Sequence, residues 1–313
     1  MTQTALASLR TASLRTAALG MAGLALLGLA AGPAAAQQPA GPAPRVLLVG
    51  DSWSEFMWVN RSLRDVFAAN GHPELVEQGG ATTISGSTAA EWNDPARLQL
   101  ITDALASNPT VEVVQLTIGG NDFLDGQSGG GWFASMGEAE FEALRTRILS
   151  DAEAVVGHIL AQRPDLEVLI SLYDYVNFDD ATLVGCSGRW NDLGQPTPRQ
   201  VNLANRAVQD SVEEAFASRP RVRVASHLGL MQFAFGFPDE NIEPGDLMPP
   251  GDLDRPSPVA AMFSLFGFAD CIHLSTDGYF AVGQNLWNVF YRDFFTADEV
   301  FRDDFESGTA AAW

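Results

Sequence analysis

Val46-Leu47-Leu48-Val49-Gly50-Asp51-Ser52 is the stretch from which the rest of the chain is read. Four apolar residues in a row, closed by a glycine, have the length and composition of a strand buried on both faces. Such strands belong to parallel sheets, which bind their ligands just beyond the carboxyl ends of the strands. Ser52 falls at that place. A serine becomes a nucleophile only when a base takes its proton and an acid fixes the tautomer of that base. Far along the chain, Asp270-Cys271-Ile272-His273 offers a carboxylate and an imidazole three residues apart. Between them lies Ile118-Gly119-Gly120-Asn121-Asp122, a second apolar run that ends in polar side chains.

Working outward, strands and helices alternate. Strands are expected at residues 46–49, 75–77, 111–118, 166–172 and 222–225. Helices are expected at 53–69, 95–106, 138–162, 198–217 and 277–294. The first helix carries Phe56, Val59, Leu63, Val66 and Phe67 on one face. Strands separated by helices imply a parallel sheet with right-handed crossovers and helices on both sides. The fold class is therefore α/β, a three-layer α/β/α, flavodoxin-like sheet of five parallel strands. Two long segments, 175–196 and 227–269, read as irregular. The second is rich in Phe and Met, which disordered segments seldom are.

The ends of the chain read differently. Arg10 and Arg15 precede an apolar run at 17–31 and then Gly32-Pro33-Ala34-Ala35-Ala36, the pattern of an export signal cleaved after Ala36. Residues 37–44 form a Pro/Ala/Gly linker, 45–296 the folded domain and 297–313 a C-terminal tail. No later run is long and apolar enough to span a membrane, so the expected product is secreted or periplasmic. The formal charge is −21, from 39 acidic and 18 basic residues. That balance argues against nucleic acid or an anionic membrane as partner. The two cysteines of an exported chain suggest one disulfide, Cys186 to Cys271, the alternative being two separate buried thiols.

These blocks in this order resemble the SGNH/GDSL hydrolase family, across nearly all of the chain after the signal segment. Gly50-Asp51-Ser52-Trp53 stands for the nucleophile block, with Trp in place of the family's Leu. Gly119-Gly120-Asn121-Asp122 and Asp270-Cys271-Ile272-His273 stand for the later blocks. The glycine block is best matched by Gly86, with Gly79 and Gly80 competing. The resemblance implies Ser52 as nucleophile, His273 as base and Asp270 as its acid. It also implies an oxyanion hole from the Ser52 and Gly86 amides and the Asn121 side chain. No cofactor is implied, and no metal-ligand pattern is visible.

The expected activity is carboxylic ester hydrolysis, as an esterase or lipase. Phe235, Phe263 and Phe266 are expected to line the acyl site. One alternative is an O-deacetylase acting on acetylated polysaccharide. Another, from a different class, is a non-catalytic glycan- or surface-binding module. The expected partner is a small or lipid-like ester, or an acetylated glycan.

Overall fold

The computed structural model describes residues 41–297. The signal segment, the linker up to residue 40 and the tail from residue 298 lie outside the described residues. Among the described residues, no helix is long and apolar enough to cross a membrane.

In chain order the elements are β1 Val46–Gly50, α1 Ser52–Val59, α2 Ser62–Ala69, β2 Glu77–Gln78, α3 Ala89–Trp92 and α4 Pro95–Ser107. Then come β3 Val113–Thr117, α5 Gly120–Leu124, α6 Gly126–Gly129, α7 Glu138–Gln162 and β4 Glu167–Ser171. The remainder is α8 Cys186–Asp192, α9 Pro198–Phe216, β5 Val222–Ala225, α10 Leu230–Phe235, β6 Met262–Leu265, β7 Phe268–Leu274 and α11 Thr276–Leu286.

Five strands pair in the order β2-β1-β3-β4-β5, all parallel. This is the flavodoxin-like order, which reverses direction between β1 and β3 and opens a crevice there. Successive residues of a strand point to opposite faces, so each strand feeds two cores. Val46, Leu48, Val113 and Leu169 pack with α1, α2 and α11. Leu47, Val49, Val114, Val168 and Ile170 pack with α3, α4, the later turns of α7 and the end of α9. This is why β1 and the middle of β4 read as unbroken apolar runs.

Two expectations are corrected. The helix at 53–69 is two helices, because Arg61 takes a left-handed backbone, φ 59°. The break turns Val59 out to solvent, off the apolar face assigned to it. Segment 175–196 holds α8, and segment 227–269 is also not wholly irregular. It holds α10, and its end forms the antiparallel hairpin β6–β7. Asp270 and His273 thus sit on strand β7.

A buried polar tie joins β4, β5 and α11. His227 is fully buried, with Nε2 2.9 Å from Ser171 Oγ and Nδ1 3.0 Å from Asn285 Nδ2. The side-chain nitrogen of Asn285 can only donate, so with that nitrogen facing the ring Nδ1 accepts and the ring is neutral. Burial pushes its pKa down to about 3. The unfolded chain takes up this proton below about pH 6.5 and the folded chain does not. The contribution of His227 to stability is therefore expected to fall as pH drops from about 6.5 towards 3, by roughly 5 kcal/mol in full, against the opposite effect of the buried Asp51 and Asp174, whose raised pKa values favour the fold as they protonate. Urea titrations over that range should show the stability advantage of the wild type over His227→Gln shrinking as pH falls. Identical slopes would show that His227 does not govern acid stability.

Candidate active site

Strand β1 delivers the first residue. Gly50 has φ +143°, and a Cβ there would lie 2.0 Å from the Thr117 carbonyl oxygen of β3, so only glycine lets the strands close. Asp51 follows and caps α1, its Oδ1 accepting from Trp53 N–H at 3.0 Å. Its other oxygen is buried facing the Tyr173 hydroxyl, just beyond ordinary hydrogen-bond distance. Burial raises the Asp51 pKa to about 7, against the hydrogen-bonding and charge effects that favour the carboxylate. Ser52 is the first residue of α1. Its N–H is one that the helix cannot satisfy, and the positive end of the helix dipole lies on it.

Strand β7 delivers the other two. Met262 pairs with Leu274 and Ser264 with Ala269, so the four residues 270–273 stand opposite the single residue Phe263. This bulge is why two side chains three apart can face the same way, which a regular strand forbids. Asp270 holds the bulge together, with Oδ1 accepting from Ile272 N–H at 2.7 Å and His273 N–H at 2.9 Å. Its Oδ2 lies 3.1 Å from His273 Nδ1, and His273 Nε2 lies 2.9 Å from Ser52 Oγ.

Burial would raise the Asp270 pKa, but hydrogen bonds from the His273 ring and backbone and the Ile272 N–H outweigh it and hold it below the usual value. An ionised carboxylate accepts only, so the proton on this ring is assigned to Nδ1. That leaves Nε2 free to accept from Ser52.

The remaining candidates surround the serine. Asn121, in the first turn of α5, donates one amide hydrogen to the Ser87 carbonyl at 3.0 Å and keeps a second. Asp122 accepts from Ala89 N–H at 2.7 Å, which ties α5 to α3. The Gly86 loop is fixed on both sides. Ile84 N–H donates to Gly50 O at 2.8 Å, and Ser85 donates to the Glu55 carboxylate through both its N–H and its hydroxyl. Gly86 has φ +77° and an N–H without an acceptor among the described residues. Nothing lies within 4 Å of where its Cβ would be, so backbone conformation, not crowding by this chain, selects glycine. Gly79 packs flat on Trp58, which explains that glycine structurally.

The three phenylalanines do not form one wall. Phe263 packs on Phe56 at 5.8 Å, and Phe56 stacks on the His273 ring at 4.9 Å. Phe235 packs against the core on α10. Phe266 is 92 % exposed at the tip of the β6–β7 hairpin. In the sequence Phe56 shows only as one member of an apolar helix face. Helical periodicity names a face but not the distant residue that covers it.

Trp53, next to the nucleophile, is a buried packing residue. It stacks on Tyr173 at 4.4 Å, and Tyr173 in turn lies flat on Gly120, whose Cβ would approach it to 2.3 Å. Glycine and tryptophan on either side of the block thus clamp one ring beside the serine.

Cys186 and Cys271 are bridged, with Cα atoms 5.8 Å apart. The bond anchors the bulge of β7 to the start of α8. Cys186, Asp270 and Cys271 are the one close group of metal-type ligands among the described residues, and the bridged sulfurs offer no thiolate. Closing a loop of 85 residues is expected to stabilise the fold by roughly 2–5 kcal/mol. Urea unfolding with and without dithiothreitol measures this, and an unchanged midpoint would remove the bridge as a support.

The sequence matches no protein-family model and no curated protein. Several solved structures are similar to the fold. The lipase Lip_vut3 from goat rumen metagenome is 13% identical, over 80% of this chain and 98% of that one, with a TM-score of 0.44. An inhibitor-bound aryl esterase from M. smegmatis is 13% identical, over 80% and 99%, with a TM-score of 0.45. A family 3 carbohydrate esterase from Clostridium thermocellum is 15% identical, over 83% and 98%, with a TM-score of 0.42. Likenesses this remote do not bear on the chemistry, which rests on the side chains.

Proposed function

We propose that this chain is a serine ester hydrolase working through an acyl-enzyme. The observation that carries the reading is one continuous hydrogen-bonded chain, Asp270–His273–Ser52, that uses both nitrogens of the imidazole. Ser52 Oγ attacks the ester carbonyl carbon as His273 Nε2 takes its proton, and Asp270 stabilises the imidazolium. The carbonyl oxygen becomes an oxyanion and meets donors that need not reorganise, the Ser52 and Gly86 amides and the free Asn121 hydrogen. The C–O bond to the alcohol then breaks and the alkoxide leaves with the proton from Nε2. Water repeats the sequence with His273 as base, releasing the carboxylic acid and restoring Ser52.

The favoured substrate has an apolar acyl group, because Phe56 and Phe263 stand beside the imidazole. Hydrolysis of p-nitrophenyl esters from acetate to octanoate, compared with acetylated xylan, tests this. Each buried methylene is worth about 0.8 kcal/mol, so Phe263→Ala is expected to cost about tenfold more on octanoate than on acetate. Equal losses at all lengths would make Phe263 a structural residue. A wild type that strongly prefers acetylated xylan would replace this reading with the O-deacetylase. Export completes the proposal, supported by the pattern of residues 1–36 and by the bridged cysteines.

A further inference from the structure

Four of the nine large apolar side chains exposed among the described residues gather on two neighbouring segments. They are Val184, 96 % exposed, with Leu265, Phe266 and Phe268 at 46, 92 and 50 %. The segments run side by side. Thr182 and Leu183 N–H both donate to Ala269 O, and Ala269 N–H donates to Thr182 Oγ1. The Cys186–Cys271 bridge fastens them a few residues further on. The result is a knuckle of apolar side chains held by a firm base.

Its tip carries a second, independent sign. Leu265 pairs with Phe268, so Phe266-Gly267 is a two-residue hairpin loop, with φ of 52° and 82°. Two positive φ values mark the loop type that selects Asn-Gly or Asp-Gly. A phenylalanine there is strained, and backbone strain of that kind collects at sites of function. The turn holds a large apolar ring out in solvent at a position where a small polar residue would be more stable.

Strand β7 starts at Phe268 and reaches Asp270 two steps later, about 7 Å along the strand. Whatever the knuckle touches is therefore brought close to the candidate active site. Charge narrows the choice. Neither residues 175–188 nor 256–272 contain a basic side chain, Asp179 and Asp180 lie in the first segment, and the whole chain carries −21. An anionic surface would be repelled. An uncharged apolar surface would not.

We propose that Val184, Leu265, Phe266 and Phe268 seat the enzyme on aggregated, uncharged ester, such as droplets of a neutral glyceride. This deepens the ester-hydrolase reading and rests on it for the chemistry, while the binding step stands by itself. The knuckle gives up solvent contact to the droplet, and the strand behind it presents His273 to esters at the surface.

Binding is read with Ser52→Ala protein, which leaves the surface unaltered, by flotation with tributyrin droplets. Ser52→Ala should float with the droplets, and adding Phe266→Asn and Val184→Ser should weaken binding by at least about tenfold. Phe266→Leu should retain most of it. In protein with Ser52 intact, the same double substitution should cut emulsion turnover about tenfold and leave monomeric p-nitrophenyl butyrate within about twofold. Phe266→Asn should melt no lower than its parent, since Asn suits the turn, so lost binding is not lost folding.

Unchanged flotation of the double variant overturns the proposal, as does equal loss on the monomeric ester. Binding to anionic vesicles as strong as to droplets also overturns it. So does a dimer that the double variant dissociates, which would make the knuckle an interface between copies. Wild type that hydrolyses no ester yet floats in a Phe266-dependent way would sink the ester-hydrolase reading and leave the docking surface standing.

Discussion

Ser52→Ala and His273→Ala should each lower kcat for ester hydrolysis by about four to six orders of magnitude, and the double variant should be hardly worse. The reason is geometric. The Ser52 hydroxyl and His273 Nε2 face each other at 2.9 Å, so either residue without the other leaves no proton relay. Stability should change little in Ser52→Ala, whose hydroxyl bonds only His273, and somewhat more in His273→Ala, which also removes the ring stacked on Phe56. Asp270→Asn separates two roles of one side chain. Its Oδ1 accepts the Ile272 and His273 amides that shape the bulge, and the asparagine oxygen can still do that. Its amide, however, would donate to Nδ1 and drive the ring proton to Nε2, the wrong tautomer for a base. A loss of about four orders of magnitude in a normally folded protein is expected. Single-turnover assays of all three variants measure this, and substantial turnover by Ser52→Ala would remove it as the nucleophile.

The sheet was legible because strands buried on both faces cannot hide. Val46–Gly50 and Val113–Thr117 are apolar almost throughout, and each ends at a glycine or polar step. Less legible was whatever depends on one backbone angle or one distant neighbour. Asn60, which caps α1, and Ser62, which opens α2, are weak marks of a boundary inside an otherwise continuous apolar face, and φ at Arg61 makes the break. Phe266-Gly267 lacks the Asn or Asp that announces a two-residue hairpin, so β6 and β7 read as loop.

The site residues stood out as short motifs on strand ends, and the fold brings Ser52, Asp270 and His273 together. What supports them could not be read locally. The Phe56 ring on His273 and the Trp53–Tyr173 stack join residues from separate elements. The Asn121 bond to the Ser87 carbonyl likewise depends on the fold. Those contacts belong to the packing.

That last bond sets the final prediction. Asn121→Ala should lower kcat by about 10²–10³, or about 2.7–4 kcal/mol, with KM nearly unchanged. One amide hydrogen is spent on Ser87 O and orients the group, so the second is the one left for a substrate oxygen. A donor that meets charge only as the tetrahedral oxyanion forms stabilises the transition state and not the bound ester. Folding should survive, because Asp122 still ties α5 to α3 when the Asn121 bond to Ser87 O is lost. Asn121→Asp should be at least as damaging, since it keeps the shape but replaces a donor with a second negative charge where the oxyanion forms. Steady-state kinetics on a short p-nitrophenyl ester decide it. A variant that keeps kcat within about threefold, or that loses only KM, would show that the oxyanion is held by the Ser52 and Gly86 amides without Asn121.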